Sequence, residues 1–143
     1  MSTSRLRHTE ATMGEAEAAT VRRYYAAWSR GDLPAMLTEA HPDIDARPTL
    51  GVLYDHSVYS GHAGITTWFE EVAGRWRDFD PHVEETREHA GEVIAFIRLS
   101  AQRERGPVDA RIAVFHSFVD GRIATLLGRD YWEVREEVGL PGR

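Results

Sequence analysis

The chain has 143 residues, which is enough for one domain with a buried core. Its net charge of -6 argues against a nucleic-acid-binding surface, because neutralising phosphates requires clustered basic residues. It contains no Cys, which excludes disulfides, thiol nucleophiles and thiolate metal sites. No apolar run is long enough for a membrane span and the N-terminus has no signal-peptide pattern, so we expect a cytoplasmic protein without membrane contact.

The N-terminal part of the chain is predicted to be helical after a short tail. Residues 1–11 are polar and aperiodic, so we expect a disordered segment there and a single domain over residues 12–143. Thr12 and Glu15 fit a capping box, which predicts that a helix begins there and runs to about Arg30. The apolar face of this helix consists of Val21, Tyr24, Tyr25 and Trp28.

The middle of the chain alternates between short and long elements. A short helix is predicted over Leu33–Ala40, then a strand over Asp43–Thr49. The segment Tyr54–Val58 fits either a short strand or a loop over a cavity. Next comes the clearest helical pattern of the chain, which ends before Asp78 and is followed by a strand over His82–His89. The apolar face of that helix consists of Ile65, Trp68, Phe69, Val72 and Trp76.

The C-terminal part predicts an antiparallel meander of four strands. The strand over His82–His89 is followed by strands over Val93–Arg105, Val108–Val119 and Arg122–Trp132. Asp120-Gly121 lies between two of them, and Asp-Gly between apolar runs is a strong hairpin signal. A short terminal helix is predicted over Glu133–Val138. Helices followed by a run of strands indicate an α+β fold, in which the helices pack on one face of an antiparallel sheet. A curved sheet of this kind can leave an apolar pocket.

Alternation along these strands predicts which side chains face the helices. On the second strand we expect Phe96 to face inward, together with Ile94, Arg98 and Ser100. On the third strand one face carries Ile112, Val114, His116 and Phe118. On the fourth strand Asp130 and Trp132 share a face. These faces would bring Arg98, Asp130 and His116 together among apolar neighbours.

Three local signatures resemble the nuclear-transport-factor-two-like superfamily, in particular its SnoaL-like branch. They are Val21–Leu33, which ends in Gly-Asp-Leu, Tyr59–Ile65 at the start of the Trp-rich helix, and Asp120–Ile123 leading to Gly128–Trp132. The resemblance implies a cone: a strongly bent antiparallel sheet wrapped around a long N-terminal helix, the cystatin-like α+β barrel. It also implies a homodimer through the outer face of the sheet, where Phe115 and Ser117 would lie. The same superfold hosts unrelated functions.

We compared the chain with three enzyme types of this superfamily, which use different catalytic residues. Tyr24 matches the first-helix Tyr of ketosteroid isomerases, but their base and acid fall on Arg47 or Pro48 and near Val114, so that chemistry is disfavoured. Limonene epoxide hydrolases resemble the C-terminal half more closely. Arg98 and Asp130 match their water-activating residues, while Ser100 stands where that family has a second Asp. Polyketide cyclases use an Asp or His, for which Asp130 or His116 could serve.

The predicted catalytic residues are Asp130, Arg98, His116 and Tyr24. A desolvated Arg98 would keep Asp130 ionised, and Asp130 would take or shuttle a proton. The alternative is a structural ion pair between two strands. The alternative to a catalytic role for His116 is that of a hydrogen-bonded core residue. The alternative for Tyr24 is packing in the core. The predicted substrate-binding residues are Ser100, Trp28, Trp68, Phe96, Val114 and Trp132.

Three functions therefore stay open. The first is a cofactor-free acid–base enzyme that isomerises, cyclises, dehydrates or hydrolyses a small hydrophobic molecule carrying oxygen. The second is a non-catalytic module for ligand binding or dimerisation. The third is an interaction protein that works through the outer face of the sheet. No His spacing typical of a metal site is present, so we expect neither a metal nor a cofactor. The expected partners are a small hydrophobic ligand and a second copy of the chain.

Overall fold

The computed structural model describes the backbone of residues 2–48 and 58–142, and the side chains of these ranges from residue 14 onward. The helices are α1 (Ser2–Ser29), α2 (Leu33–Glu39), α3 (Gly61–Arg75) and α4 (Tyr131–Glu137). The strands are β1 (Ala40–Arg47), β2 (Tyr59–Ser60), β3 (Arg77–His89), β4 (Glu92–Arg103), β5 (Gly106–Val119) and β6 (Arg122–Asp130). No helix in the described ranges has the length and apolarity needed to span a bilayer.

All six strands form one sheet in the order β2-β1-β6-β5-β4-β3. Strands β3 to β6 are an antiparallel meander, as predicted, whereas β1 runs parallel to β6 and makes the sheet mixed. Breaks in register within β3–β4 and β5–β6 bend the strands. Helices α1 and α3 pack on one face, which we call the inner face. The predicted α+β class is confirmed.

The turns of the meander follow from their sequences. Asp120 and Gly121 both have positive φ, 52° and 76°, as a type I′ hairpin requires. Ala90 and Gly91 form the same kind of turn, with φ of 51° and 81°. Gly tolerates this backbone freely, and Asp is among the residues that adopt it most readily. The predicted hairpin signal at Asp120-Gly121 is thus confirmed.

Some element boundaries differ from the prediction. Helix α1 already begins at Ser2, so Thr12 is inside it, and the predicted capping box is wrong. No Pro interrupts the polar segment that was expected to be disordered, and the helix runs through it. At the other end α4 begins at Tyr131, because the side chain of Asp130 caps it. Of the ambiguous segment Tyr54–Val58, only Val58 lies within the described residues.

The apolar side chains form two cores, one on each face of the sheet. The larger core fills the space between the inner face, α1 and α3. The smaller one lies on the outer face beneath α4 and consists of Ile94, Phe96, Ala113, Phe115 and Val134. Strand β4 is therefore buried on both faces from Val93 to Ile97.

The predicted orientation of β4 is wrong. Its inward residues are Val93, Ala95, Ile97, Leu99 and Ala101, all in the larger core. Ile94 and Phe96 belong to the outer core instead, and Arg98 is exposed. A shift of one residue exchanges the two faces of a strand, and the unbroken apolar run over Val93–Ile97 does not fix the phase.

This orientation can be tested by two neighbouring substitutions. Ile97 has no exposed surface, so we expect Ile97→Ala to lower the free energy of unfolding by about 2–5 kcal/mol through loss of packing. Arg98→Ala should leave the urea midpoint almost unchanged, because the Arg98 side chain is 49% exposed. Urea unfolding at pH 7 measures both. A large loss for Arg98→Ala together with a small loss for Ile97→Ala would contradict the observed faces.

Candidate functional site

An apolar cavity lies between α1, α3 and the inner face of the meander. Its aromatic wall consists of Tyr25, Trp28, Trp68 and Phe79. The sheet contributes mainly aliphatic side chains: Ile97, Leu99, Ile112, Val114 and Leu126. The space between these walls, including the mouth, is about 410 Å³, but the centre of a water molecule can lie in only about 20 Å³ of it. The cavity is therefore narrow.

The aromatic wall is held by ring contacts. Trp28 meets Trp68 edge to face at 4.6 Å between centroids, and Phe79 lies 5.4 Å from Trp28. Trp68 also stacks on Tyr59 at 5.2 Å with an interplanar angle of 10°. Both arrangements are favourable for aromatic pairs. They join α1, α3, β2 and β3 at one wall of the cavity.

The main polar feature of the site is a hydrogen bond between Tyr25 and His116. The Tyr25 hydroxyl lies 2.8 Å from Nε2 of His116, and Nδ1 of the same ring lies 3.0 Å from the carbonyl oxygen of Val93. A carbonyl oxygen can only accept, so Nδ1 carries the proton of the neutral ring. Nε2 then accepts the hydrogen bond from Tyr25. Tyr25 lines the cavity, and His116 lies behind it, completely buried.

Burial sets the charge of His116. Desolvation lowers the pKa of its imidazole from 6.5 to about 4, and the hydrogen bond to Val93 opposes this only in part. The ring is therefore neutral at pH 7. A neutral ring with a protonated Nδ1 keeps Nε2 available as a base, one hydrogen bond away from the cavity.

The predicted pair of Arg98 and Asp130 does not form. Arg98 is on the outer face, where both its Nε and Nη2 bond the carboxylate of Asp109 at 3.0 and 2.7 Å. This partner keeps the Asp109 pKa below its usual value. Asp130 is exposed and accepts a hydrogen bond from the backbone N–H of Glu133 at 2.8 Å. The prediction failed for Arg98 because the inward and outward faces of β4 are exchanged relative to those expected. It failed for Asp130 because β6 ends at this residue, which caps α4.

The other predicted residues divide between the two faces. Trp28, Trp68 and Val114 lie at the cavity, where their role in substrate binding stays a prediction. Phe96 is in the outer core. Ser100 lies on the same face of β4 as Phe96, and its register partner on β5 is Asp109. Trp132 lies on α4 against Tyr131. None of these last three lines the cavity.

Tyr24 is buried but is not the tyrosine that lines the cavity. Its ring contacts those of Tyr25 and Trp28 at 4.9 and 6.0 Å. Helical spacing put both tyrosines on the same apolar face, and it could not tell which of them reaches the central strand. Phe79 was also missed, because β3 begins earlier than predicted and brings it to the wall.

The described residues hold no group of three or more His, Asp or Glu side chains that could bind a metal. The polar chemistry that the described residues show at the cavity is that of Tyr25 and His116. The arrangement can bind an apolar molecule, accept or donate one hydrogen bond through Tyr25, and move a proton between Tyr25 and His116.

The fold is that of NTF2-like proteins. Residues 21–126 match the model of the SnoaL-like domain, and the chain belongs to that family. A comparison with curated proteins finds no match.

Solved structures support the fold. An NTF2-like protein of unknown function from Burkholderia pseudomallei K96243 is 21% identical, with a TM-score of 0.71 over 85% of this chain and 95% of that one. TerC, co-crystallised with polyporic acid, is 18% identical, with a TM-score of 0.72 over 85% and 96%. A candidate polyketide cyclase from Xanthomonas campestris pv. campestris is 16% identical, with a TM-score of 0.68 over 87% and 96%.

The buried imidazole gives a prediction for pH dependence. The folded-state pKa of His116 is about 4, below the ordinary 6.5. As the pH falls, this ring is therefore protonated in the unfolded chain before it is protonated in the folded protein. The free energy of unfolding should therefore fall as the pH is lowered from about 6.5 to about 4, by about 3 kcal/mol from this residue alone.

The measurement is urea unfolding at pH 7 and pH 4 of the wild type and of His116→Gln. The Gln side chain can still accept a hydrogen bond from Tyr25, but it does not titrate. We expect the wild type to lose about 3 kcal/mol more than the variant over this range. Parallel losses in the two proteins would show that the His116 pKa is not lowered by folding.

Proposed function

We propose that the protein is a cofactor-independent acid–base enzyme that acts in the apolar cavity, with Tyr25 as the group that touches the substrate and His116 as its proton partner. The observation that carries this proposal is the hydrogen bond from the Tyr25 hydroxyl to Nε2 of a buried, neutral His116. The substrate is a small, largely apolar molecule that carries an oxygen. The reaction is an isomerisation, cyclisation, dehydration or hydrolysis.

The proton path follows from the tautomer of His116. As a substrate group loses its proton to the Tyr25 oxygen, the original hydroxyl proton of Tyr25 moves to Nε2. The imidazolium formed in this way is stabilised at Nδ1 by the Val93 carbonyl, which lies 3.0 Å away. The proton then returns through Tyr25 to another atom of the substrate. No proton is gained or lost overall, as in an isomerisation or a ring closure.

The low basicity of His116 limits which substrates can react. Charging its ring is unfavourable in the buried site, so proton transfer is supported only where a negative charge develops nearby on the substrate. An enol or phenol oxygen, or a carbon next to a carbonyl, provides such a charge. A simple hydrocarbon does not. This favours an oxygenated substrate.

The size of the cavity restricts the shape of the substrate. Because the walls stand close together, a flat ring or an extended chain fits better than a bulky group. Entry of a ring also requires one of the aromatic side chains to move. A high density of aromatic and aliphatic groups favours apolar molecules, and one polar contact at Tyr25 orients them.

The structural neighbours are consistent with this substrate class. TerC was co-crystallised with polyporic acid, and two neighbours are described as candidate polyketide cyclases. We extend to this chain only the general class, an oxygenated apolar small molecule. Epoxide hydrolysis of the limonene type is not part of the proposal, because Arg98 lies on the outer face and Asp130 caps α4.

The test begins with a ligand screen. Thermal shift of the wild type against aromatic polyketide-like phenols, sterols, apolar alcohols and epoxides identifies binders, since a ligand of the native state raises the melting temperature by mass action. Each binder is then incubated with the protein, and product formation is followed by mass spectrometry. Absence of any product from every binder would contradict the enzymatic proposal.

Tyr25→Phe should separate binding from chemistry. We expect it to lower turnover of an identified substrate by at least about 100-fold, because it removes the proton-transferring hydroxyl, while the ring still fills its place in the wall. Binding should weaken by no more than about tenfold, the value of one hydrogen bond. Turnover at the wild-type rate would contradict the role of Tyr25.

Two control variants remove polar groups elsewhere. Tyr59→Phe deletes a hydroxyl that donates a hydrogen bond to Glu71 at 2.6 Å. Tyr59 is not among the residues that line the cavity. Asp130→Asn keeps a capping side chain at the start of α4. We expect both to retain turnover within about twofold of the wild type, because neither touches the proton path. If Asp130→Asn lost activity while Tyr59→Phe kept it, Asp130 would have a role in the reaction.

A further inference from the structure

A second concave surface lies outside the cavity, where α3 ends and the β4–β5 turn begins. It is an open groove of about 710 Å³, lined by residues 73–77 and 102–105. We call it the arginine groove after four of its lining residues: Arg75, Arg77, Arg103 and Arg105. All four are exposed. The proposed enzymatic mechanism uses none of them.

The charge of the groove is opposite to that of the chain. The lining contains four arginines and one acidic residue, Glu104, so its formal net charge is +3. The chain as a whole carries -6. A local positive potential on an acidic protein concentrates anions at that place and repels them elsewhere. Asp78 lies next to the groove in sequence, and it is also exposed.

Three guanidinium groups of the groove are not neutralised by a carboxylate of the described residues. In the part of the chain that the structure describes, Arg77, Arg103 and Arg105 have no carboxylate within 4.0 Å. Elsewhere on the sheet and α4, arginines do hold a carboxylate. These pairs are Arg98–Asp109, Arg111–Glu84, Arg129–Glu137 and Arg135–Glu85. The groove thus brings together three guanidinium groups that hold no carboxylate of the described residues.

One of these arginines has a defined position. The guanidinium carbon of Arg103 lies 5.3 Å from the ring centroid of Trp76. Trp76 is only 7% exposed, so it is a firm support. A cation–π contact of this kind restricts where the guanidinium can lie. Less conformational entropy is then lost when an oxyanion binds.

We propose that the arginine groove binds a multiply charged oxyanion, of the kind that a diphosphate or triphosphate group on a small molecule presents. Each guanidinium can give two parallel hydrogen bonds to a phosphate. Several of them around one groove match a chain of linked phosphates better than a single carboxylate. This site is independent of the cavity, and its ligand is distinct from the apolar substrate proposed above.

The test uses inorganic pyrophosphate as the probe. Isothermal titration calorimetry at low salt should show saturable binding to the wild type, and the affinity should fall as NaCl is added because the contacts are exposed. Arg103→Ala/Arg105→Ala should weaken this binding by at least about tenfold, since each lost guanidinium removes charge-assisted hydrogen bonds. Arg105→Glu is a second variant that leaves the stacking on Trp76 intact and should weaken binding similarly.

The matched control is Arg87→Ala/Arg122→Ala. It removes the same charge at two exposed positions outside the groove, so pyrophosphate affinity should stay within about twofold. Equal weakening in the control and the groove variants would overturn the proposal, because it would show non-specific attraction only. Absence of saturable binding to the wild type would also overturn it.

A parallel arm separates a free phosphate ligand from a lipid headgroup. Vesicles of phosphatidylcholine with and without phosphatidic acid are sedimented with the wild type. We expect the protein to stay in the supernatant while pyrophosphate binds. Sedimentation with phosphatidic acid vesicles in the absence of pyrophosphate binding would contradict a small-molecule site.

Discussion

The imidazole of His116 is hydrogen-bonded on both nitrogens, and three elements of the fold meet at this ring. Nε2 faces Tyr25 of α1, and Nδ1 faces the carbonyl of Val93, its cross-strand partner on β4. A buried polar ring is tolerated because both nitrogens have partners, whereas an unsatisfied buried donor or acceptor costs about 1–3 kcal/mol. The same contacts that make the ring acceptable in the core also fix its tautomer. Structural and chemical requirements therefore coincide at one residue.

The two faces of the sheet have different roles. The inner face carries the cavity and the Tyr25–His116 hydrogen bond, while the outer face carries surface ion pairs and a small core beneath α4. Surface ion pairs such as Arg98–Asp109 contribute little to stability because water screens them. On the inner face, by contrast, water is excluded. Desolvation there lowers the pKa of His116, so its ring is neutral at pH 7. Chemistry is thus expected on the inner face, where hydrogen bonds operate in a medium of low polarity.

Much of the fold could be predicted from the sequence, and the candidate site only partly. Helical periodicity and the Asp120-Gly121 turn predicted α1, α3 and the meander, because these signals are local. Alternation also placed His116 correctly on the inner face. It failed on β4, where α4 covers the outer face and makes the apolar run over Val93–Ile97 continuous. The partner of His116 lies 91 residues away in the chain, and no local pattern could select Tyr25 over its neighbour.

The proposed chemistry depends on a His116 ring that is neutral at pH 7, with its proton on Nδ1 and its Nε2 facing Tyr25. Nitrogen-15 NMR of protein labelled at histidine measures this directly, because the two ring nitrogens have distinct shifts and couplings in each tautomer. We expect one histidine with a protonated Nδ1 and an unprotonated Nε2 at pH 7, and this signal should be lost in His116→Gln. It should not titrate near pH 6.5. If His116 were protonated on Nε2, or on both nitrogens, at pH 7, its Nε2 could not accept the hydrogen bond from Tyr25 and the proposed proton path would be wrong.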